Sequence, residues 1–517
     1  MSKQDFLVEL GTEELPPKAL LKLSKAFQAG VVEGLKKASL DHGEVKSFAT
    51  PRRLAVLVSA LDANQADRLT EKFGPAVTAS FDADGNPTPA ASGFAKSCHV
   101  AVSELSTAEK DGVEKLAYSS TIPGKPTTEL LPAIVDRALA KLPIPKRMRW
   151  GASRNEFVRP VHWLVMLFGE EHVAANILGV ESGTNSFGHR FHYPGAISID
   201  RAKDYETRLL EPGNVVADFS KRRELIRSAI VAEGANLGAS TVVDEALLDE
   251  VTSLVEYPVA LTGRFDELFL EVPSEALILA MKSHQKCFYL VDKDEKLLPH
   301  FVTVSNIRSN DPAQVIEGNE RVIRPRLADA KFFYETDKQT SLESRLDSLK
   351  KVVFQEKLGT VYDRSLRVAL LAKFIATTTG ENPAESERAA MLSKCDLVTN
   401  MVGEFADLQG LMGSYYAAND GESASVAKAI NEQYMPRFAG DDLPATVVGS
   451  IRAIADKLDS IVGLFAIGQP PTGSKDPFAL RGSVVGVLQI LGENKIDIDL
   501  RACIEESLKG FAPLEIE

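Results

Sequence analysis

From about residue 340 onward, the chain shows one kind of apolar pattern, the spacing of an amphipathic helix. Six successive segments carry it: SLESRLDSLKKVVFQEKL, DRSLRVALLAKFIATTT, SERAAMLSKCDLVTNMVGEF, ASVAKAINEQY, SIRAIADKLDSIVGLFAI and DPFALRGSVVGVLQIL. Consecutive helices bury their apolar faces by packing helix on helix. We therefore predict an all-α domain over residues 341–517.

The chain before residue 341 mixes strand and helix patterns. The stretch FLVEL (6–10) is typical of a buried strand, and RLAVLVSAL (53–61) alternates as a strand does. Between them, PPKALLKLSKAFQAGVVEGLKKASL predicts a helix with Pro17 in its first turn. Its apolar face is Leu20, Leu23, Phe27, Val31 and Leu35. The prediction is a multidomain protein in which an α+β N-terminal part precedes the helical domain.

A Gly/Pro/Ala-rich stretch, GNPTPAASGFA, indicates a boundary inside the α+β part. We predict an α+β segment over residues 1–65 and an α+β region of two subdomains over residues 66–340. Helix and strand patterns keep alternating within the second region up to LLPHFVTVSNI.

Composition is that of an ordinary globular protein, with 44% apolar and 25% charged residues in a chain of 517. The start, MSKQDFLVEL, lacks the features of a secretory signal, and the longest apolar run, WLVMLFG, is too short to cross a bilayer. The cysteines, at positions 98, 287, 395 and 503, form no CxxC pair, which favours single thiols in a reducing compartment. We expect a cytoplasmic protein with no membrane partner.

The net charge of −13 argues against coating by nucleic acid, so an anionic partner needs a local basic patch. The segment 141–160, KLPIPKRMRWGASRNEFVRP, has a net charge of +5 with Glu156 as its single acid. Trp150 lies among its cations, which are Lys141, Lys146, Arg147, Arg149, Arg154 and Arg159. Cations interleaved with aromatics suit phosphates and an unstacked base. A solvated face, or arginines paired with carboxylates, explains the pattern equally well.

A second group of arginines lies in GNERVIRPRLADAKFF (318–333). Arg321, Arg324 and Arg326 are close together there, and we expect Asp329 to be their internal partner. Arg324 and Arg326 are further candidates for contact with an RNA backbone.

The helical part contains a Cys-Asp pair in LSKCDLVTNMV (392–402). The surrounding apolar residues recur at helical spacing, from Met391 to Phe405. The simplest interpretation is that Cys395 is a small core residue, because free cysteine is among the most buried residue types.

A second interpretation comes from resemblance. DRSLRVALLA (363–372), LSKCDL (392–397) and ADKLD (455–459) resemble the three segments by which HD-type phosphohydrolases bind metal. The ligands of those enzymes, His, His-Asp and Asp, correspond here to Arg364, Cys395, Asp396 and Asp456.

Both ligand histidines are missing, and the last histidine of the chain is His300. Arg364 cannot lose its proton. At about 4 Å and an effective dielectric of about 20, its repulsion of a divalent cation amounts to several kcal/mol. We predict an HD-like scaffold that binds no metal, in which Arg364 pairs with Asp396 or Asp456.

Two further motifs are weak. GQPPTGSK (468–475) is close to a phosphate-binding loop, but its Lys and Ser are reversed and its prolines lack amide donors. GHRFHYPG (188–195) offers His189 and His192, which lie on opposite sides of an extended strand and suit a metal poorly.

The chain resembles the β subunits of bacterial heterotetrameric glycine–tRNA ligases across nearly its whole length. The motifs that carry the resemblance are FLVELGTEELPPKAL, TPRRLAV, LPIPKRMRWG, FVRPVHW, GHRFH, EVTSLVEYPV, GNERVIRPRLADAKFF, LSKCDLVTNMV, NEQYMPRFAGDDLP and TGSKDPFALR. One departure is Gly482, where the family usually has a second arginine. Family members continue beyond this C-terminus into a helical anticodon-binding domain.

The resemblance implies a division of labour in an α2β2 tetramer. The α subunit joins glycine to ATP with Mg²⁺, while the β subunit helps to hold tRNA(Gly) and the assembly. We expect this chain to bind no cofactor and to have no catalytic residue of its own. The alternatives are a divergent HD-type metal-dependent phosphohydrolase and a scaffold without direct RNA contacts.

Overall fold

The computed structural model describes residues 2–82 and 84–514. Backbone contacts divide the chain into two compact units. Unit 1 comprises residues 1–262 and 302–315, and unit 2 comprises residues 263–301 and 316–517. The segment 263–301, which the sequence pattern assigns to the α+β region, thus belongs to the same unit as the C-terminal helices.

Strands are numbered in chain order. They are β1 (Lys3–Thr12), β2 (Val45–Thr50), β3 (Arg53–Asp62), β4 (Arg68–Ala76), β5 (Ser106–Lys110), β6 (Val113–Ile122), β7 (Met148–Arg149), β8 (Glu156–Phe157), β9 (Val161–Phe168), β10 (Glu171–His172), β11 (Asn176–Ile177), β12 (Val180–Gly183), β13 (Asn185–Phe187), β14 (Ala196–Ser198), β15 (Ser240–Thr241), β16 (Val259–Arg264), β17 (Phe288–Val291), β18 (Leu297–Ser305), β19 (Val353–Gln355) and β20 (Gly359–Thr360).

Helices are numbered in the same way. They are α1 (Pro17–Lys37), α2 (Val77–Ser80), α3 (Pro89–Ser97), α4 (Thr127–Ala140), α5 (Tyr205–Leu210), α6 (Phe219–Asn236), α7 (Glu245–Thr252), α8 (Ser274–Gln285), α9 (Pro312–Lys338), α10 (Val361–Thr379), α11 (Pro383–Leu392), α12 (Asn400–Glu404), α13 (Leu411–Asn419), α14 (Ala424–Glu432), α15 (Val447–Ala466), α16 (Leu480–Glu493) and α17 (Leu500–Lys509).

Unit 1 is built on a mixed sheet with the strand order β11-β12-β9-β1-β3-β2, to which β10 adds beside β9. Strand β1 pairs antiparallel with both β3 and β9, and β12 runs parallel to β9. Because side chains alternate along a strand, β1 contributes buried side chains to a hydrophobic core on each face of the sheet. Phe6, Val8 and Leu10 pack on one face of the sheet, while Leu7 packs on the other with Tyr205.

Helix α1 covers the first of these faces. Its buried apolar residues are Leu20, Leu23, Phe27, Val31 and Leu35, so the face predicted from the sequence is confirmed. A separate three-stranded sheet, β4-β6-β5, forms the region that follows β3.

The C-terminal helices of unit 2 surround α15. All its residues from Val448 to Asp459 are buried, and α10, α14, α16 and α17 pack against it. Polar residues share this burial, because Arg452, Asp456, Lys457 and Asp459 all lie on α15. A helix buried on every side supplies both apolar packing and a polar centre.

The predicted fold class, an α+β N-terminal part followed by a helical part, is confirmed. Two details of the helical part are wrong. Strands β19 and β20 pair in a short hairpin after residue 340, since the β-branched Val352 and Val353 favour extended backbone and Gly359 has a φ of +85°.

The second wrong detail is the single helix predicted through the Cys-Asp pair. Helix α11 ends at Leu392, a 3₁₀ turn covers Cys395–Val398, and α12 starts at Asn400. The Thr399 hydroxyl caps α12 by accepting a hydrogen bond from the Val402 amide at 3.3 Å. The helical spacing therefore predicted correctly that these residues are buried, but wrongly that they form one continuous helix.

Among the described residues, no helix combines the length and the apolar character needed to cross a bilayer.

Candidate functional site

Arg364 and Asp456 bring α10 and α15 together in unit 2. Arg364 Nη2 lies 3.1 Å from Asp456 Oδ2 and also donates to Ser460 Oγ at 2.7 Å. The guanidinium packs over the ring of Phe354, 4.2 Å from its centroid. The predicted pairing is therefore confirmed for Asp456.

Asp396 lies in the 3₁₀ turn and is fully buried. Its Oδ2 accepts hydrogen bonds from the backbone amides of Gly410, at 2.5 Å, and Gly413, at 3.1 Å. Burial raises the pKa of its carboxyl to about 6, although the two amides and Lys394 oppose the rise. Asp396 therefore links the 3₁₀ turn by hydrogen bonds to the start of α13.

Cys395 has no exposed surface and belongs to the apolar core of unit 2. Burial raises the pKa of its thiol to about 12. A thiol held in its neutral form is a poor nucleophile and a poor metal ligand. The structure thus favours the interpretation of Cys395 as a core residue.

Three more cations lie around Asp456: Lys394, Arg452 and Lys457. Burial alone would raise the pKa of the Asp456 carboxyl, but Arg364, Lys394 and Arg452 hold it below its ordinary value. Conversely, burial and the neighbouring arginines lower the pKa of Lys394 to about 7, against the attraction of Asp456. The surroundings of Asp456 are cationic, which is the opposite of what a metal ion requires.

Sequence reasoning missed Lys394 and Arg452. Both carried a signal, because Lys394 directly precedes the Cys-Asp pair and Arg452 stands four residues before Asp456 on one helix face. Nowhere in residues 2–82 and 84–514 do three or more His, Cys, Asp or Glu side chains form a group able to hold a metal ion.

The basic segment 141–160 folds as a small hairpin in unit 1. Strand β7 pairs with β8, and the Arg149 guanidinium forms an ion pair with Glu156 at 2.6 Å. Lys146, Arg147 and Arg154 are exposed. Arg147 donates to the Ala140 carbonyl at 3.0 Å. The structure therefore presents several cations on one short hairpin and its flanks. Two of them already have a carboxylate partner, since Lys141 also lies 3.6 Å from Glu33.

Two members of this segment have structural contacts. Trp150 is half-buried and packs against the core beneath the sheet. Arg159 is half-buried and donates to the Val158 carbonyl at 2.9 Å. Each can contact RNA only with the part of its side chain that remains exposed.

The second arginine group lies on α9, where Arg324 and Arg326 are exposed. Arg321 pairs with Glu317 at 2.7 Å. Within the described residues, Asp329 makes no ion pair with any of these arginines, so its predicted role as their partner is wrong. Residues three positions apart on a helix meet only if both side chains turn toward each other.

A buried charged cluster in unit 1 escaped the sequence analysis. Arg53 has no exposed surface and forms ion pairs with Glu9 at 3.3 Å and Glu256 at 3.2 Å. Glu9 also accepts from Trp163 Nε1 at 2.5 Å and Ser186 Oγ at 2.6 Å. Burial lowers the pKa of Arg53, but the two glutamates outweigh it and raise the pKa. The sequence feature that could have indicated this cluster is the pair of adjacent arginines in TPRRLAV.

His189 and His192 flank a turn, and their ring centroids are 4.7 Å apart, so the prediction that they lie on opposite sides of an extended strand is wrong. His189 Nδ1 accepts from the backbone amides of Phe191 and His192 at 3.2 Å, and His192 Nε2 accepts from the Arg308 amide at 2.9 Å. These bonds fix the turn that carries the exposed Phe191.

The sequence profile described as "Glycyl-tRNA synthetase beta subunit" matches residues 6–516. A protein of Marinobacter nauticus named glycine–tRNA ligase beta subunit is 56% identical over 515 residues, which cover 99% of this chain and 74% of that protein. A protein of Hahella chejuensis with the same name is 54% identical over 517 residues, covering 100% of this chain and 75% of that protein. The chain therefore belongs to the family of glycyl-tRNA synthetase beta subunits.

Proposed function

We propose that this chain serves as the β subunit of a glycine–tRNA ligase, in an α2β2 tetramer that attaches glycine to tRNA(Gly). The main support for this proposal is the match of residues 6–516 to the family of β subunits. The name of these relatives implies a partner α subunit. We assign ATP, Mg²⁺ and glycine to that partner and RNA contact to this chain, in the cytoplasm.

The comparisons support this proposal. They give no support to the alternative of a divergent phosphohydrolase. The surroundings of Asp456 agree with it. A metal-dependent phosphohydrolase needs carboxylates and imidazoles that are free to bind a cation. Asp456 instead pairs with Arg364 and lies 3.0 Å from Arg452 Nη1.

The basic hairpin 148–157 and its flanks are the proposed RNA surface. Lys146, Arg147 and Arg154 project into solvent. Exposed cations of this kind release counterions when they meet phosphates, and that release gives binding a steep dependence on salt. Arg324 and Arg326 on α9 offer a second pair of exposed cations.

A binding assay with tRNA(Gly) tests this proposal, using the chain alone and with the α subunit over about 50–200 mM salt. The triple change of Arg147, Arg149 and Arg154 to Ala should weaken binding and flatten the salt slope. We expect a loss of about two in that slope, at just under one per phosphate contact, because Arg149 is already paired with Glu156.

The matched control changes Lys18, Lys22 and Lys25 on α1 to Ala. These exposed lysines give the same change in charge outside the hairpin, and we expect them to leave the slope nearly unchanged. An unchanged affinity and slope for a folded hairpin variant would contradict the proposal and favour a scaffold without RNA contacts.

Trp150 needs a separate test because it also packs on the core. Replacing it with Phe keeps an aromatic ring, whereas Ala removes both the ring and the packing. If a base stacks on this ring, Trp150→Ala should cost about 1–3 kcal/mol of binding, with Trp150→Phe close to the wild type. Equal affinities for all three folded proteins would exclude stacking.

A further inference from the structure

Buried charge is unbalanced around Asp456 in unit 2. Apart from Asp441, which is already paired with Arg437 at 2.8 Å, five cationic side chains and three carboxylates interact there. They are Arg364, Arg367, Lys394, Arg452 and Lys457, against Asp396, Asp456 and Asp459. Arg367 and Asp459 form a closed pair with bonds of 2.8 and 3.3 Å. With every group ionised, the cluster carries an excess of two positive charges.

Hydrogen bonding around Asp456 is also incomplete. Arg364 Nε, Arg452 Nη1 and Asp456 Oδ1 are buried and have no hydrogen-bond partner among the described residues. Arg452 Nη1 and Asp456 Oδ1 are 3.0 Å apart but are not aligned for a hydrogen bond. Buried polar groups are usually satisfied, and a group of unsatisfied ones indicates a missing partner such as an ion or water.

The two lysines of the cluster flank Tyr434. Lys394 Nζ lies over the tyrosine ring, 3.9 Å from its centroid, and Lys457 Nζ donates to the Tyr434 carbonyl at 3.4 Å. No described residue gives the Lys394 ammonium a hydrogen-bond acceptor. Uncompensated cations in a low-dielectric interior are costly, so an anion here would stabilise the fold.

We propose that the cluster formed by Arg364, Lys394, Arg452 and Lys457 is an anion site that takes a single phosphate group. Phosphate suits it because a tetrahedral oxyanion accepts hydrogen bonds from several directions and carries up to two negative charges, which match the excess. Arginine and lysine together are the usual protein donors to phosphate. The side chains of Arg364 and Asp456 keep 13% and 12% of their surface exposed, so the cluster communicates with solvent.

The phosphate can come from free phosphate, which carries up to two negative charges, or from an RNA backbone, whose phosphodiester carries one. Both are tetrahedral oxyanions that accept hydrogen bonds from arginine and lysine, and free phosphate matches the excess charge more fully. The inference does not depend on the RNA role of the hairpin in unit 1. The site can exist whether or not that hairpin binds tRNA, so the two proposals can fail separately.

The test measures thermal unfolding of the full chain in about 10 mM phosphate and in sodium chloride of equal ionic strength. Phosphate should raise Tm by about 2 °C or more, because a ligand that binds only the folded state stabilises it. Lys394→Met removes one surplus charge while keeping the length of the side chain. This variant should have a higher Tm than the wild type without phosphate and should lose the response to phosphate.

Lys373→Met is the matched control. Lys373 lies on α10, is half-exposed and pairs with Glu387 at 2.9 Å, so its change has the same charge and shape. It should leave the response to phosphate intact. Three outcomes overturn the inference: no phosphate response in the wild type, an equal response in Lys394→Met, or a Lys394→Met protein that is less stable than the wild type without phosphate.

A tRNA titration of Lys394→Met distinguishes an RNA phosphate from free phosphate as the occupant of the site. Weaker tRNA binding with a salt slope lower by about one indicates an RNA phosphate. Unchanged tRNA binding with a lost phosphate response indicates a small free anion. Both results support the site.

Discussion

Arg364 and Asp456 form an ion pair between α10 and α15, with Nη2 and Oδ2 3.1 Å apart. The two residues stand 92 positions apart in the sequence. Coulomb attraction between the guanidinium and the carboxylate helps to hold the two helices together.

We predict that the purified chain carries no stoichiometric divalent metal after mild dialysis. The cations around Asp456 repel a metal ion, and Arg364 takes the carboxylate oxygen that would bind it. Elemental analysis checks this expectation. Phosphodiesterase turnover that is stimulated by manganese and lost in Asp396→Ala would contradict it.

We predict that Asp396→Ala lowers the free energy of unfolding by about 1–3 kcal/mol, because it strands the buried amides of Gly410 and Gly413. Asp396→Asn is the matched control, since its amide oxygen can still accept from them. Chemical unfolding of both variants measures the difference. Equal losses in the two variants would mean that these amide bonds are not what Asp396 contributes.

The same pair of proteins should differ in pH dependence. Burial raises the pKa of Asp396 to about 6, above its ordinary 3.8. The stability due to this raised pKa is fully present below about pH 4 and is lost as the pH rises through about 6. The wild type should therefore lose stability relative to Asp396→Asn between pH 4 and pH 7. A constant difference over that range would show that the carboxyl titrates normally.

We predict a large effect for Arg53→Met in unit 1. The change leaves Glu9 and Glu256 buried without their cation, and breaking a buried pair on one side costs about 3–5 kcal/mol. Arg68→Met, at an exposed position on β4, is the control and should change little. Denaturant unfolding of both proteins decides the matter, and similar midpoints would refute the assignment.

The arginines of α9 allow a comparison within one helix. Arg324 and Arg326 have no carboxylate partner among the described residues, whereas Arg321 is paired with Glu317. The double change of Arg324 and Arg326 to Ala should weaken tRNA binding and lower the salt slope by about two. Arg321→Ala should have the smaller effect per charge. An unchanged affinity and salt slope of the double variant in a filter-binding titration would exclude Arg324 and Arg326 as RNA contacts.

We predict that the chain alone does not activate glycine. Adenylate formation needs a preorganised cradle for the ATP phosphates, and the nearest sequence match has Pro470 and Pro471 where amide donors belong. Glycine-dependent pyrophosphate exchange should be at background and should appear when the α subunit is added. Robust exchange by the chain alone, after removal of contaminating synthetase, would overturn this division of labour.

The sequence by itself determined most of the elements and their buried faces, but not the β19–β20 hairpin or the helix break before Asp396. Periods of two and 3.6 residues record which side of a strand or helix faces the core, and that record is local. The buried strand β1, the apolar face of α1 and the helical C-terminal part were all legible in this way. The absence of histidine after His300 was equally legible. Together with the resemblance to the HD-type segments, it led to the prediction that Arg364 pairs with Asp396 or Asp456.

Only the tertiary structure decided which distant groups meet. Beyond the helix break, the Asp396 carboxylate accepts hydrogen bonds from amides 14 and 17 residues further along the chain. Arg53 finds its carboxylates 44 and 203 residues away. Periodicity gives the depth of a side chain but not its neighbours, since those are set by packing between elements that are remote in sequence. The polar clusters of both units therefore form only when elements remote in sequence pack together, although most of those elements could be predicted from the sequence.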